Sequence, residues 1–131
     1  MDPSESDADD RFARPPLPEL THVAASVEAG VVVATFPGGR FDGNAVRDLF
    51  ELAMALPTGG AKLLVDTAGV AFVPSGGMGI LVMIRKRFLS SGGQLHITLP
   101  DPRVRESFDV ARMGRLLSLF DSCAAAREAF K

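Results

Sequence analysis

The residues that could do chemistry stand close together between Asp66 and Gly79, in the segment Asp-Thr-Ala-Gly-Val-Ala-Phe-Val-Pro-Ser-Gly-Gly-Met-Gly. Ser75 precedes a glycine-rich stretch that opens a predicted helix, so its side chain is expected to be the helix N-cap. The dinucleotide fingerprint needs Gly-x-Gly-x-x-Gly, and a phosphate-binding loop ends in Gly-Lys-Ser/Thr. A nucleophile elbow needs glycine two residues before its serine, where this chain has Val73. The spacing therefore predicts no catalytic residue and no enzyme.

A hydroxyl at a helix N-terminus is also a good position for a phosphate. Phosphorylation adds a charge of about −1.5 to −2, and the free N–H groups and positive dipole end of the helix can hold an anion without unfolding it. A protein packed on the helix start would then have to desolvate that anion. Two roles stay open for Ser75 at this point: phosphoacceptor in a binding switch, or N-cap alone.

Metal and cofactor chemistry has few candidate residues. The chain has one cysteine, Cys123, and two histidines, His22 and His96, which is too few for a structural zinc cage. No metal and no cofactor is predicted. His96 alternates into an apolar strand and is expected to be a core or edge histidine, and Cys123 to be a small buried hydrophobe. Asp66 is expected to accept hydrogen bonds from loop N–H groups.

Composition predicts one globular domain with an acidic extension. The 131 residues carry 14 Lys and Arg against 16 Asp and Glu, a net charge of −2, which disfavours a dedicated nucleic-acid binder. Residues 1–19 hold six acids and two bases and are predicted to form a disordered acidic tail, leaving 20–131 as the domain. No leader pattern or long apolar run is present, so we expect a cytoplasmic protein without membrane insertion.

The elements that would position Ser75 follow an alternating order. Two strands with a tight turn are predicted near 23–27 and 31–36, then a helix over 46–53 capped by Asn44. A central strand at 63–65 precedes a helix from Ser75 to about Ser90, and a strand at 94–99 follows. Asp101 is expected to cap the next helix, and Asp121 or Ser122 a last one over 124–130. This order predicts an α/β sheet with helical crossovers.

Several of these segments resemble one known family. The motif segment matches the pattern Asp-Leu-Ser-x-Val-x-Phe-Ile-Asp-Ser-Ser-Gly-Leu-Gly at Asp66, Val70, Phe72, Ser75, Gly77 and Gly79. Arg40-Phe41-Asp42, Gly92-Gly93-Gln94-Leu95 and Asp101-Pro102-Arg103-Val104 resemble three further segments of it. The chain thus resembles, over residues 20–131, the STAS domain of bacterial anti-sigma factor antagonists and sulfate transporters.

The resemblance implies a fold and a regulatory function. The fold would be a four- to five-stranded mixed sheet with about four helices. The function would be that of an anti-sigma factor antagonist, which binds an anti-sigma factor that is also a serine kinase of the GHKL type. Phosphorylation of the motif serine, by position Ser75, would end this binding and so switch partners in transcription regulation. Asp42, in the loop facing the serine, is implied as a partner contact.

Two departures from the family pattern keep an alternative open. Pro74 replaces the aspartate before the serine, and Gly76 replaces the second serine. The alternative is a STAS accessory subunit of a membrane lipid transport ATPase that is not phosphorylated.

Met78 and Val82 are expected to form an exposed apolar contact. The predicted partner-binding residues are Asp42, Pro74, Gly76, Gly77, Met78, Gly79 and Val82.

Overall fold

The computed structural model describes residues 17–57 and 59–131. Within them the strands are β1 (Ala24–Glu28), β2 (Val31–Thr35), β3 (Lys62–Asp66), β4 (Gln94–Thr98) and β5 (Ser118–Phe120). The α-helices are α1 (Gly43–Ala55), α2 (Ser75–Ser90), α3 (Pro102–Val110) and α4 (Cys123–Glu128). The acidic tail predicted for 1–19 lies, as far as residue 16, outside the described residues.

The sheet has the order β1-β2-β3-β4-β5. β1 and β2 form the predicted antiparallel hairpin, and the remaining neighbours pair in parallel. β3 is central, as its continuous apolar run predicted. The fifth strand is a correction to the predicted element order, which went directly from one helix to the next. β5 has three residues, too few to display the alternation by which a strand is recognised.

The main core lies on one face of the sheet, under α1, α2 and α3. Alternate strand residues such as Val32, Leu63 and Ile97 point into it and meet Leu49, Leu81 and Phe108 of the helices. The opposite face carries a smaller cluster in which Val33 and Leu64 pack against Ala126 of α4. Both faces of β3 are therefore covered, which explains why its middle residues are all apolar.

Three helices begin at polar side-chain caps. Asp101 accepts from the N–H of Arg103 at 2.9 Å and caps α3, as predicted. Ser122 caps α4 by accepting from the N–H of Ala125 at 3.1 Å. The cap predicted at Asn44 is wrong, because the carboxylate of Asp42 accepts from the N–H of Ala45 at 3.0 Å and α1 starts at Gly43.

Candidate functional site

The loop that leads to Ser75 is anchored at the end of β3. One carboxylate oxygen of Asp66 accepts from the N–H of Ala68 at 3.0 Å and from the hydroxyl of Thr98 at 2.9 Å. The buried hydroxyl of Thr67 donates to the carbonyl of Thr98 at 2.7 Å. The prediction that Asp66 accepts a loop N–H is confirmed. These bonds attach the start of the loop to β4.

Phe72 is the unexpected residue of this loop. Val70 and Val73 are each 1% exposed and fill the inward positions, whereas Phe72 between them is 69% exposed. With two valines already inward, the loop holds the ring in solvent. Phe72 therefore presents apolar surface to solvent close to Pro74 and Ser75.

Ser75 is the first residue of α2 rather than its cap. The N-cap is Pro74, which has no side-chain hydrogen-bonding group, so the prediction of Ser75 as N-cap is wrong. The Ser75 side chain is exposed, and its hydroxyl makes no hydrogen bond within the described chain. The hydroxyl is therefore free of a structural task and open to solvent beside the helix N-terminus.

The residues after Ser75 divide between surface and core. Gly76 and Gly79 are exposed and Val82 is half-buried, but Gly77 and Met78 are buried. The expected exposed contact of Met78 is wrong, because this side chain is only 6% exposed and packs in the main core. The apolar stripe of α2 is wide enough to include positions 77 and 78 together.

A second loop, between β2 and α1, packs against the first. Gly39 has a φ of +68°, and a Cβ at this position would overlap the carbonyl oxygen of Gly69. Phe41 is buried against Phe36, with ring centroids 4.7 Å apart. A Cβ on Gly77 would lie 2.7 Å from Cε1 of Phe41. Both loops and the start of α2 are thus fixed by close packing.

Together the two loops form a shallow depression beside Ser75. It has a volume of about 260 Å³ and is lined by Gly39, Arg40, Phe41, Asp42, Ala71, Phe72 and Pro74. Asp42 and Pro74, which were predicted from separate motifs, therefore lie at the same place. The hydrogen bond from the N–H of Ala45 holds the pKa of Asp42 below its usual value, so its carboxylate is ionised at neutral pH, beside the cationic Arg40 of the same lining.

Comparison with known proteins decides the family. A family model described as "Mlab, STAS domain" matches residues 21–118, which is most of the chain. The chain belongs to the STAS family. A protein of Bordetella bronchiseptica named "Putative anti-sigma factor antagonist BtrV" is 26% identical over 102 residues, covering 78% of this chain and 88% of BtrV.

Solved structures support the same STAS fold. An anti-sigma factor antagonist domain protein from Planctomyces limnophilus superposes with a TM-score of 0.72 at 23% identity, covering 82% of this chain and 97% of that one. An anti-sigma factor antagonist from Mycobacterium paratuberculosis gives a TM-score of 0.68 at 20% identity, covering 82% and 92%. The predicted α/β STAS fold is confirmed, and the sheet has five strands.

His96 and Cys123 lie on the face of the sheet that α4 covers. His96 is buried and stacks on Phe130 with ring centroids 3.8 Å apart, so the prediction of a core or edge histidine is confirmed. Cys123 is half-buried, its thiol donates to Asp66 at 3.2 Å, and burial raises its pKa.

The residues described include no cluster of three His, Cys, Asp or Glu that could hold a metal. None of their helices is long and apolar enough to cross a bilayer.

Proposed function

We propose that this STAS domain is an anti-sigma factor antagonist, which binds its anti-sigma factor at the Ser75 surface. The Ser75 surface consists of Asp42, Phe72, Pro74, Ser75, Gly76 and Gly79. The single observation that carries the proposal is the exposed side chain of Ser75, whose hydroxyl has no hydrogen-bond partner among the described residues, close to the exposed ring of Phe72. The names of BtrV and of the two solved relatives support the same role.

Phe72 supplies the apolar contact of this surface. Full burial of a phenylalanine side chain contributes about 1.5 to 3 kcal/mol, and Phe72 has most of its surface still to bury. Gly76 and Gly79 have no side chains, so a partner can approach the backbone of α2 closely. The carboxylate of Asp42 and the guanidinium of Arg40 line the same depression and would orient a partner that carries complementary charges.

Phosphorylation of Ser75 is the proposed switch, and the anti-sigma factor is proposed to be the serine kinase of the GHKL type that performs it. A phosphate on this exposed hydroxyl would lie beside the N–H groups at the start of α2, which have no intrahelical acceptor. The fold would stay intact. Burying the dianion under a partner costs several kcal/mol unless it is paired, which is enough to abolish a micromolar complex worth about 8 kcal/mol.

Pro74 favours a second candidate function. It stands directly before Ser75 and offers neither a carboxylate nor an N–H to a kinase. An accessory subunit of a membrane lipid transport ATPase would need the Ser75 surface for docking but no phosphorylation. In that case the chain co-purifies with an ATPase subunit and remains unmodified.

Calorimetric titration with the purified anti-sigma kinase tests the proposal. We expect Ser75→Ala to bind like the unsubstituted chain, Ser75→Asp to bind at least 100-fold more weakly, and Phe72→Ala at least ten-fold more weakly. Val110→Ala is the matched control, since Val110 is also an exposed apolar residue, at 79%, but lies on α3. Retained circular dichroism would show that the variants fold. If Ser75→Asp and Phe72→Ala both bind the kinase as tightly as the unsubstituted chain does, the proposed surface is refuted.

A further inference from the structure

A larger cavity lies away from the Ser75 surface, where the end of α2 meets the starts of β4 and β5. Its volume is about 380 Å³, within the range of small-molecule sites. β5 begins at Ser118, which pairs with His96, so the preceding β4 residues Gln94 and Leu95 have no strand beside them on that side in the described chain. The short β5 therefore leaves a notch at the edge of the sheet, and the notch is the cavity.

The walls of this cavity combine apolar and polar groups. Phe88, Leu89 and Leu95 supply apolar surface, and Arg85, His96 and Ser118 supply polar groups. Lys131 lies at the rim, where Gln94 Oε1 accepts from its backbone N–H at 3.2 Å and Gln94 Nε2 donates to its backbone oxygen at 3.3 Å. The lining includes no Asp or Glu side chain among the described residues.

Arg85 is held in place by the cavity wall but is not neutralised there. One of its terminal nitrogens donates to the hydroxyl of Ser118 at 2.7 Å. In the described part of the chain, no carboxylate lies within ion-pair distance of its guanidinium. A guanidinium has five N–H donors in a fixed plane, so Arg85 has donors left for an oxyanion and already has its orientation fixed.

His96 provides a defined acceptor on the cavity floor. Its Nδ1 lies 2.8 Å from the carbonyl oxygen of Ala126, and because a carbonyl can only accept, Nδ1 carries the hydrogen. Nε2 of the neutral ring is then an acceptor with no hydrogen-bond partner in the described residues. No side-chain nitrogen among those residues is both fully buried and unpartnered, so Nε2 keeps some contact with solvent, and His96 is one of the residues that line the cavity. Burial lowers the pKa of His96 and keeps the ring neutral.

We propose that the cavity binds a small organic anion, in which a carboxylate or phosphate group on a short apolar body contacts Arg85. The apolar body lies against Leu89, the exposed apolar residue of the lining, and a hydroxyl or amide N–H of the ligand donates to Nε2 of His96 at the edge of the sheet. Charge-assisted hydrogen bonds from arginine to an oxyanion are about twice as strong as neutral ones. The site is independent of Ser75, so it can be occupied whether or not the Ser75 surface binds a partner.

NMR titration of the full chain tests the site, with benzoate, phenyl phosphate and the neutral benzamide as probes at constant ionic strength. We expect saturable shifts of the His96 Cε1–H and of the Leu89 and Leu95 methyl signals with both anions. Benzamide is expected to bind at least ten-fold more weakly than benzoate. A preference for phenyl phosphate over benzoate identifies a phosphate ligand, and the reverse preference a carboxylate ligand.

Variants test whether anion binding depends on the positive charge of Arg85. Arg85→Met is expected to weaken benzoate and phenyl phosphate binding at least ten-fold, whereas Arg87→Met, which removes an exposed cation of the same helix outside the cavity, leaves it unchanged. Leu89→Glu places a carboxylate four residues after Arg85 on the same helix, where it competes with the ligand for the guanidinium, and it is expected to weaken binding likewise. The inference is overturned if neither anion gives saturable shifts, if benzamide binds as tightly as benzoate, or if Arg85→Met and Leu89→Glu bind like the unsubstituted chain.

Discussion

Replacing Gly77 by alanine tests the packing that joins the start of α2 to the loop of Asp42. The new Cβ would lie 2.7 Å from Cε1 and 3.0 Å from Cδ1 of Phe41, and 3.4 Å from a methyl carbon of Val73. Phe41 is 3% exposed and is itself packed on Phe36, so its ring has little space into which to move. Overpacking of a core in this way costs about 1 to 3 kcal/mol.

Gly79 provides the matched control in the same helix. A Cβ at this position has no heavy atom within 4 Å, and the residue is exposed. Glycine to alanine in a helix is favourable by about 1 kcal/mol because of the lower helix propensity of glycine. Gly79→Ala is therefore expected to stabilise the protein by up to about 1 kcal/mol. In Gly77→Ala the same gain partly offsets the overpacking, for a net change of about 0 to 2 kcal/mol of destabilisation.

The difference in free energy of unfolding between the two variants is the better test, because both gain the same helix propensity from alanine and this gain cancels. Urea unfolding followed by circular dichroism should place Gly77→Ala about 1 to 3 kcal/mol below Gly79→Ala in free energy of unfolding. The displaced Phe41 ring also moves the loop that carries Asp42, so Gly77→Ala should weaken anti-sigma factor binding as well. If Gly77→Ala is as stable as Gly79→Ala, the close packing of Gly77 on Phe41 is refuted.

Three further predictions concern hydrogen-bonded or buried groups. Burial lowers the pKa of His96, so the unfolded chain binds more protons below pH about 6.5 and stability falls as the pH drops; urea midpoints at pH 7.5 and 5 should differ less in His96→Phe, and an equal difference would contradict this. The hydrogen bond from Ala45 lowers the pKa of Asp42, so the stability it contributes is lost as the pH falls below about 4; Asp42→Asn, which can still cap α1, should flatten the acid limb of the stability curve, and an unchanged limb would count against the bond. Ser122→Ala removes the cap of α4 and should cost about 1 kcal/mol in urea unfolding, whereas no loss would show that the cap is not needed.

The sequence predicted the fold wherever one element carried several agreeing signals. Continuous apolar residues identified β3, and Asp101 followed by Pro102 located the start of α3. β5 could not be predicted, because three residues give no period and its pairing with β4 depends on contacts distant in the chain. The cap of α1 was predicted at Asn44, but Asp42 caps the helix. Asn and Asp are equally good cap residues by type, so only the backbone geometry distinguishes the two positions.

The candidate site was predicted in position but not in detail. Motif matching located Ser75, and the structure brings Asp42 and Pro74 to one depression beside it. Which side chains face outward was missed: Phe72 is exposed and Met78 is buried. Phe72 lies in an irregular loop whose path is set by the inward packing of Val70 and Val73, and Met78 is buried because the apolar stripe of α2 includes its position.

Phosphorylation of the exposed Ser75 hydroxyl is the proposed switch. Incubation with the anti-sigma kinase and ATP, followed by intact-mass measurement, tests it most directly. We expect the unsubstituted chain to gain the mass of one phosphate group and Ser75→Ala to gain none. An unmodified chain under conditions in which the kinase is active, or equal modification of Ser75→Ala, would contradict it.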